Sequence, residues 1–250
     1  MAVKDFDESL TKLKALIAGA ERMVFFGGAG VSTESGIPDF RSASGLYNRA
    51  EDEFAGYSPE EIVHANFFRN NTALFYKYYF TRFIYPSAQP NAAHAALAAL
   101  ERAGGLRAVV TQNVDGLHQQ AGSKNVIELH GSVRRNFCTR CGTAHTLEEI
   151  MKEKPNVPQC KSCGGVVKPD VVLYGEALDG DSMSKAVKYI SEADVFIVGG
   201  TSLSVYPAAG LVSYYTGGAL VLINRDATAY DGKASLTFRQ PIGEVLGSIV

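Results

Sequence analysis

Short apolar runs alternate with longer amphipathic stretches along most of this chain. Between residues 7 and 20 apolar side chains recur at every third or fourth position, which predicts a helix with one buried face. Residues 59–85 and 91–103 also have a helical pattern, whereas residues 40–57 show no clear period and predict a loop or lid. Six short, mostly apolar runs predict buried strands: 23–26, 108–111, 126–129, 171–174, 194–198 and 219–223. Such strands, alternating with helices, predict an α/β fold with a parallel sheet covered by helices on both faces.

The composition narrows the class of protein. The chain has 250 residues, of which 46% are hydrophobic, so it is long enough for one domain with an inserted module. Lys and Arg number 24 against 26 Asp and Glu, and a formal net charge of −2 does not suggest a surface that neutralises nucleic-acid phosphates. The N-terminus lacks the pattern of a secretory signal, and no apolar run approaches the roughly 20 residues that span a bilayer. We therefore expect a cytoplasmic protein that binds neither membranes nor nucleic acid directly.

A glycine-rich turn follows the first predicted strand. Gly28 and Gly30 flank Ala29 where backbone N–H groups can approach a pyrophosphate at a helix N-terminus. The full dinucleotide fingerprint fails because Thr33 stands where its third glycine belongs, which disfavours an ordinary dehydrogenase. The turn indicates a nucleotide site, and the alternative is a tight strand-to-helix connection without a ligand.

The four cysteines form two Cys-x-x-Cys pairs with 18 residues between them: Cys138 and Cys141, then Cys160 and Cys163. Each pair can hold a tetrahedral ion from one tight turn, and four thiolates complete the coordination of one zinc ion. Because four sulfur ligands leave no position for water, we expect a structural zinc. A redox dithiol is the alternative that this spacing disfavours.

Polar and ionisable residues follow two of the predicted strands. Asn113 and Asp115 come just after residues 108–111, and His130 follows residues 126–129. The carboxyl ends of parallel strands form the edge where ligands bind in open α/β sheets. We therefore expect these three side chains to converge on one pocket.

Several motifs occur together in one order: GAGVS at 28–32, SGIPDFR at 35–41, TQNVDGLH at 111–118, ELHG at 128–131, the two cysteine pairs, and GTSLSVYPA at 200–208. In these motifs, and over residues 27–224, the chain resembles the sirtuin family of NAD-dependent protein lysine deacetylases, in its prokaryotic type of catalytic core. The resemblance implies a single catalytic domain, 1–250. Its Rossmann-like NAD-binding part would comprise approximately residues 1–40, 86–133 and 168–250, its inserted zinc-ribbon module approximately residues 134–167, and its helical and lid segment approximately residues 41–85.

The resemblance also implies roles for individual residues. His130 matches the general base, and Asn113 matches the asparagine that orders a water and the ribose. Asp115, with the backbone around Ile37, matches the site for the nicotinamide carboxamide, and Phe40 matches the aromatic residue that shields the reacting sugar. The other positions that match the dinucleotide site are Gly28, Ala29, Gly30, Ser32, Thr33, Arg41, Gln112, Gly200, Thr201, Ser202, Asn224 and Arg225.

The implied substrate is a protein or peptide that carries acetyl-lysine and binds as an extended strand. Residues 171–174 and 203–206 would hold it by main-chain pairing, and Val172 would form the apolar wall of the acyl-lysine tunnel. The contact residues would be Phe40, Val171, Val172, Leu173, Tyr174, Leu203 and Val205. The acyl oxygen would displace nicotinamide from the ribose, giving free lysine, nicotinamide and acyl-ADP-ribose. NAD is then a co-substrate that is consumed, and we expect a monomer with one structural zinc ion.

The preferred acyl group depends on one alignment register. Family members that prefer acidic acyl chains share a Tyr-x-x-Arg pair, whose arginine meets the extra carboxylate. Alignment on Phe75 and Tyr76 puts Tyr79 in place of that arginine, which favours acetyl or longer neutral chains. A register three residues later would instead use Tyr79 and Arg82.

Two other functions fit the same pocket. One is transfer of ADP-ribose onto a protein, which only product analysis separates from deacylation. The other is a non-enzymatic NAD-sensing or zinc-dependent interaction module. The presence of Asn113, Asp115 and His130 argues against the second, because a protein that only binds NAD needs no base.

Overall fold

The computed structural model describes residues 2–40, 45–46, 54 and 56–250. The strands in these ranges are β1 (Met23–Gly27), β2 (Leu106–Thr111), β3 (Val126–Glu128), β4 (Gly131–Cys138), β5 (Ala144–Thr146), β6 (Val167–Val171), β7 (Val195–Gly199), β8 (Ala219–Ile223) and β9 (Leu236–Phe238). The α-helices are α1 (Ala2–Gly19), α2 (Pro59–Ile62), α3 (Ala65–Asn70), α4 (Thr72–Tyr78), α5 (Ala92–Arg102), α6 (Leu117–Ala121), α7 (Leu147–Met151), α8 (Gly180–Glu192) and α9 (Ile242–Gly247).

Six strands form a parallel sheet in the order β3-β2-β1-β7-β8-β9. The strands β1, β2 and β3 extend from the centre of the sheet to one edge. The next strand of this sheet, β7, lies on the other side of β1, and β8 and β9 extend from it to the opposite edge. The strand order therefore reverses between β1 and β7, which is the position where open α/β sheets form a ligand crevice. The predicted α/β fold class is confirmed.

The two faces of this sheet are covered by different helices because successive strand side chains point to opposite sides. On one face Phe25 packs in an apolar cluster that includes residues of α1, α5 and α9. On the other face its neighbour Phe26 packs with Ile190 of α8 and with Leu211, in the 3₁₀ turn Ala208–Tyr214. Helices thus lie on both faces, and every residue of the central strands β1, β7 and β8 is buried.

A second, antiparallel sheet in the order β5-β4-β6 is inserted between β3 and α8. Residues 171–174 do not continue the parallel sheet, so that part of the strand prediction is wrong. The strand there is β6, which ends at Val171 and pairs with β4 in the register Gly131 to Val171. Its buried residues alternate with half-buried ones, Lys168 and Asp170, as in a sheet with one packed face, and the apolar run that follows obscured this period.

The helical pattern over residues 59–85 is broken into three short helices and a π-helical turn, Tyr79–Phe83. Their aromatic side chains pack against the second sheet in one cluster that includes Tyr76, Tyr79 and Val167. The second sheet extends over residues 131–171 and so reaches slightly beyond the predicted zinc module at both ends. Among the described residues, no helix combines the length and apolarity that crossing a membrane requires.

Candidate active site and metal centre

A cleft of about 470 Å³ lies at the carboxyl ends of the parallel strands and extends to the second sheet. Most predicted site residues line it: Gly28, Ala29, Gly30, Ser32, Thr33, Ile37, Phe40, Gln112, Asn113, Asp115, His130, Val171, Val172, Leu173, Tyr174, Gly200, Thr201, Ser202, Val205, Asn224 and Arg225. Leu203 does not, because its side chain is buried in the apolar cluster with α8; a substrate contact through its backbone stays a prediction. Arg41 lies outside the described residues. The strand ends thus bring together positions that are far apart in the chain.

The glycines after β1 allow the loops that follow β1 and β7 to touch. The Gly30 N–H donates to the Gly200 carbonyl at 2.8 Å, and the Gly28 N–H donates to the Gly199 carbonyl at 3.2 Å. A Cβ on Gly30 would lie 2.7 Å from the Gly200 Cα, and one on Gly28 would lie 2.8 Å from the Thr201 Cβ. The glycines are therefore required by this contact, in addition to any approach of a phosphate.

A polar network connects the β1 and β2 loops at the floor of the cleft. The Ser32 hydroxyl, which is 1% exposed, donates to Asp115 Oδ2 at 2.7 Å and accepts from Asn113 Nδ2 at 3.0 Å. The other oxygen of Asp115 accepts the Leu117 N–H at 2.9 Å. Both carboxylate oxygens and the hydroxyl are thus held in fixed orientations, which preorganises them for a bound polar group.

His130 lies in the cleft just after β3. Its Nδ1 is 2.9 Å from the Gln112 carbonyl oxygen, which can only accept, so in the neutral ring Nδ1 carries the proton and Nε2 the lone pair. Burial lowers the pKa of His130 below its usual 6.5, and the bond to Gln112 opposes this only in part. The imidazole is therefore neutral near pH 7 and can accept a proton at Nε2. The Gln112 side chain in turn donates to Thr201 Oγ1 at 3.0 Å, which ties this strand end to the β7 loop.

The wall of the cleft beyond His130 is formed by residues 171–174. The Val172 N–H donates to the His130 carbonyl at 3.0 Å, the Tyr174 N–H to the Val63 carbonyl at 3.0 Å, and the Leu173 N–H to Glu176 Oε2 at 2.9 Å. These three backbone donors are thus occupied within the chain. The expectation that residues 171–174 pair with a substrate strand stays a prediction, and such pairing would use backbone groups other than these three donors.

At the opposite end of the cleft, Asn224 follows β8. Its side-chain amide donates to the Asp226 carbonyl at 2.9 Å, and its backbone carbonyl accepts from Arg239 Nη1 at 3.0 Å. Arg239 also bonds the Asp226 carbonyl and the Asp231 carboxylate. This guanidinium fixes the loop after β8, so the neighbouring Asn224 and Arg225 are presented to the cleft by an ordered backbone.

Several cleft residues were missed by the sequence reasoning. Among them, Glu34 accepts the Gly243 N–H at 2.6 Å, and Arg134 reaches the Asp115 carbonyl at 3.4 Å and Gln120 at 3.2 Å. Glu176 lines the wall described above. Its position shortly after an apolar run was a usable signal, whereas the contacts of Glu34 and Arg134 depend on the tertiary fold.

The four cysteine sulfurs lie within 4.8 Å of one another. The Cys138–Cys163 and Cys141–Cys163 sulfurs are 3.4 Å apart, and the Cys141–Cys160 sulfurs are 3.7 Å apart. Four sulfurs at about 2.3 Å from one tetrahedral zinc ion are roughly 3.8 Å from each other, so the cluster fits this ion. Cys138 of the first pair is the last residue of β4, and the second pair precedes β6. The ion therefore joins these two strands at the end far from His130. The four-cysteine site predicted from the spacing is confirmed as a structural zinc site.

Comparison with known proteins gives a consistent result. A model of the Sir2 family matches residues 28–207 of the chain. Similar relatives include the NAD-dependent protein deacetylase of Clostridium acetobutylicum, 53% identical over 97% of this chain and 98% of the relative, and that of Clostridium tetani, 55% identical over 95% and 96%. Among solved structures, Sir2 with a p53 peptide and NAD+ matches with a TM-score of 0.84 at 37% identity over 96% of each chain. A mutant Sir2 homologue in complex with ADP ribose matches with a TM-score of 0.86 at 42% identity, covering 95% of this chain and 94% of that chain.

Replacement of one zinc ligand tests the metal centre. We expect Cys160→Ser to lower zinc affinity by more than about 100-fold, because loss of a ligand exceeds the 10–100-fold cost of losing an outer-shell contact. Metal content measured by inductively coupled plasma mass spectrometry during chelator titration gives this value. Ser162→Ala, an exposed position inside the same pair, is the matched control and should keep one zinc per chain. Retention of zinc at the control's affinity by Cys160→Ser would contradict the four-sulfur site.

Proposed function

The chain belongs to the Sir2 family, and on this premise we propose that it is an NAD-dependent protein lysine deacetylase. It transfers the acetyl group of an acetyl-lysine side chain to ADP-ribose and releases nicotinamide. The observation that carries the proposal is the convergence of Ser32, Asn113, Asp115 and His130 in one cleft, at the reversal of strand order where a dinucleotide fits.

The residues of the cleft suit the parts of NAD. The glycine turn after β1 and the β7 loop offer closely apposed backbone, in which added Cβ atoms would collide. Asp115 is an acceptor held in place by Ser32 and suits the amide N–H groups of nicotinamide, together with the backbone near Ile37. We assign Asn224 and Arg225 to the adenosine end because they line the cleft at the far side of β7.

Bound NAD supplies a sugar carbon that the acyl oxygen can attack, with nicotinamide as the leaving group. His130 would then take a proton at its Nε2 from a neighbouring ribose hydroxyl, since Nδ1–H is fixed on the Gln112 carbonyl. The hydroxyl oxygen would bond to the acyl carbon, and water would complete the transfer as the lysine amine leaves. Asn113, held by Ser32 and by Thr111 at 3.0 Å, orients the ribose and a water. Phe40 contacts Phe83 and covers the reacting side of the sugar against bulk water.

An extended acetyl-lysine peptide is the proposed partner. Since the N–H groups of residues 172–174 are occupied, we place main-chain pairing on the loop from Gly175 onward and on residues 204–206 of the opposite wall. Backbone pairing tolerates many peptide sequences, while the apolar wall at Val172 selects the acylated side chain.

We further propose a monomer that works in the cytoplasm, where four zinc-bound thiolates are kept from forming disulfides. The division into an NAD-binding part, a zinc module near residues 134–167 and a helical segment is part of the same proposal. The zinc ion has no place in the chemical step because its four sulfur ligands leave no open position.

The positions of the two candidate Tyr-x-x-Arg registers support acetyl as the preferred group. Tyr76 is buried and its hydroxyl donates to the Val167 carbonyl, and Tyr79 is 2% exposed. Within the described structure neither Tyr79 nor Arg82 lines the cleft, so neither register brings a guanidinium from this segment to an acidic acyl chain.

Replacement of His130 tests the assigned base. We expect His130→Tyr to lower turnover of an acetyl-lysine peptide by about 10²–10⁴-fold, because loss of a general base has this cost. Mass spectrometry of the products follows the reaction, and thermal denaturation checks that the fold remains. Wild-type turnover in this variant would contradict the role of His130.

The pH dependence of kcat/KM reports the same group. Because burial lowers the pKa of His130, the neutral form predominates at pH 7, and the base is lost only as the pH falls through that lowered value. We expect an acid limb with a midpoint below 6.5 and a fall of about tenfold per pH unit beyond it. Stability measured over the same range separates titration from unfolding. A midpoint at or above pH 7 would show that another group controls the rate.

The acyl preference follows from the positions of Tyr79 and Arg82, neither of which lines the cleft in the part of the chain that the structure describes. We expect acetyl-peptide to exceed succinyl-peptide in kcat/KM by at least about 30-fold, corresponding to about 2 kcal/mol for a desolvated carboxylate without a partner. Arg82→Ala provides the control for the other register. A succinyl preference that is lost in Arg82→Ala would prove that register correct and our assignment wrong.

A further inference from the structure

The ammonium of Lys168 lies at the join between the zinc-bearing sheet and the wall of the substrate cleft. Lys168 is on β6, opposite Phe137 of β4, and Cys138 is the next residue of β4. Its side chain is 23% exposed, and it points to the loop that follows β6. We call this loop, residues 172–178, the cleft loop, because most of it lines the site described above.

All three N–H donors of the Lys168 ammonium have an acceptor in this region. Nζ lies 3.0 Å from the Val171 carbonyl, 3.4 Å from the Pro169 carbonyl and 3.1 Å from Glu176 Oε2. A lysine ammonium has three donors and no acceptor, so its hydrogen-bonding capacity is used completely. These three contacts hold the Lys168 side chain against the cleft loop.

The carboxylate of Glu176 closes the cleft loop on itself. Its Oε2 accepts the Leu173 N–H at 2.9 Å as well as the Lys168 ammonium, while the Glu176 N–H donates to the Leu173 carbonyl at 2.9 Å. Gly175 lies inside this turn with φ +85, a conformation that side chains disfavour. The turn is therefore held from both sides, by its own backbone and by the ion pair with β6.

This ion pair is only partly exposed, at 23% for Lys168 and 27% for Glu176, so water screens it less than a surface pair. Removal of either side chain would leave the other without one of its hydrogen-bond partners. The ion pair also connects two parts of the structure. β6 is paired with β4 near the zinc end, and the side chain of Lys168 links β6 to residues 173–176.

We propose that Lys168 and Glu176 are positioning residues that hold the cleft loop in the shape that binds the substrate peptide. The inference rests on the proposed deacetylase function and deepens it. It explains how the zinc-bearing sheet affects peptide binding although its zinc site is remote from the reacting atoms. Neither residue acts on the reacting atoms.

The test compares Lys168→Met, which keeps the length of the side chain and removes the charge, with Lys188→Met, an exposed lysine on α8. We expect Lys168→Met to raise KM for an acetyl-lysine peptide by about 10–100-fold, the scale of a displacement of about 1 Å at a site, with a much smaller change in kcat. Glu176→Gln should act in the same direction, and Lys168→Met should add little to it because the two changes break one contact. Lys168→Arg should restore part of the affinity.

Zinc content, KM for NAD and the melting temperature are measured on every variant, and a purely structural role predicts that these change together with KM for the peptide. A KM for the peptide in both Lys168→Met and Glu176→Gln equal to that of Lys188→Met would overturn the proposal. So would an equal rise in KM for NAD. If Lys168→Met does not fold, the same measurements on Glu176→Gln and Lys168→Arg test the proposal.

If the wild-type chain deacetylates no peptide, the proposed function fails. The fluorescence anisotropy of a labelled acetyl-lysine peptide then still tests the positioning role of the ion pair. Weaker binding by Lys168→Met than by the wild type would support that role, and equal binding would overturn it.

Discussion

The close contact between the loops after β1 and β7 is the constraint on which the rest of the site depends. It exists because the strand order reverses between β1 and β7, so the loops that follow these neighbouring parallel strands leave the same edge of the sheet in opposite directions. The backbone bond from Gly30 to Gly200 is possible only because neither residue has a side chain; a Cβ on Gly200 would lie 2.4 Å from the Val31 nitrogen. With these loops fixed, Ser32 meets the end of β2, and the polar floor of the cleft follows from that meeting.

The inserted sheet makes the second wall of the cleft and is joined to the first sheet by short, well-defined contacts. Gly131, directly after His130, approaches the Asp170 backbone so closely that a Cβ would lie 1.9 Å from its carbonyl oxygen. Arg135 bonds Glu128 at the end of β3 and Asp170 on β6, each at 2.7 Å. The strand that precedes His130 is therefore tied to β6, the strand that leads into the cleft loop. The four-cysteine zinc site lies at the far end of β4 and the start of β6, and its four sulfur ligands leave no open position for the reaction.

The sequence predicted the parts of the fold that depend on local pattern. The strands β1, β2, β7 and β8 were found because each contains a recognisable apolar run, and the capped helix α5, which begins after Asn91, was found from its helical pattern. β9 has only three residues and was missed for want of a period, whereas α8 carries apolar residues at 183, 186, 187 and 190 and was detectable. In the site, the convergence of Asn113, Asp115 and His130 follows from parallel topology alone. The bond from Ser32 to Asp115, 83 residues apart, and the bond from Lys168 to the cleft loop required the tertiary structure.

The proposed reaction consumes one NAD for each acetyl group released from the peptide. The most direct measurement is the stoichiometry of one reaction, in which nicotinamide, deacetylated peptide and acetyl-ADP-ribose are quantified together by mass spectrometry. We expect equal amounts of all three and no deacetylation without NAD. Free acetate with intact NAD, or nicotinamide release with ADP-ribose attached to protein, would contradict the proposed reaction.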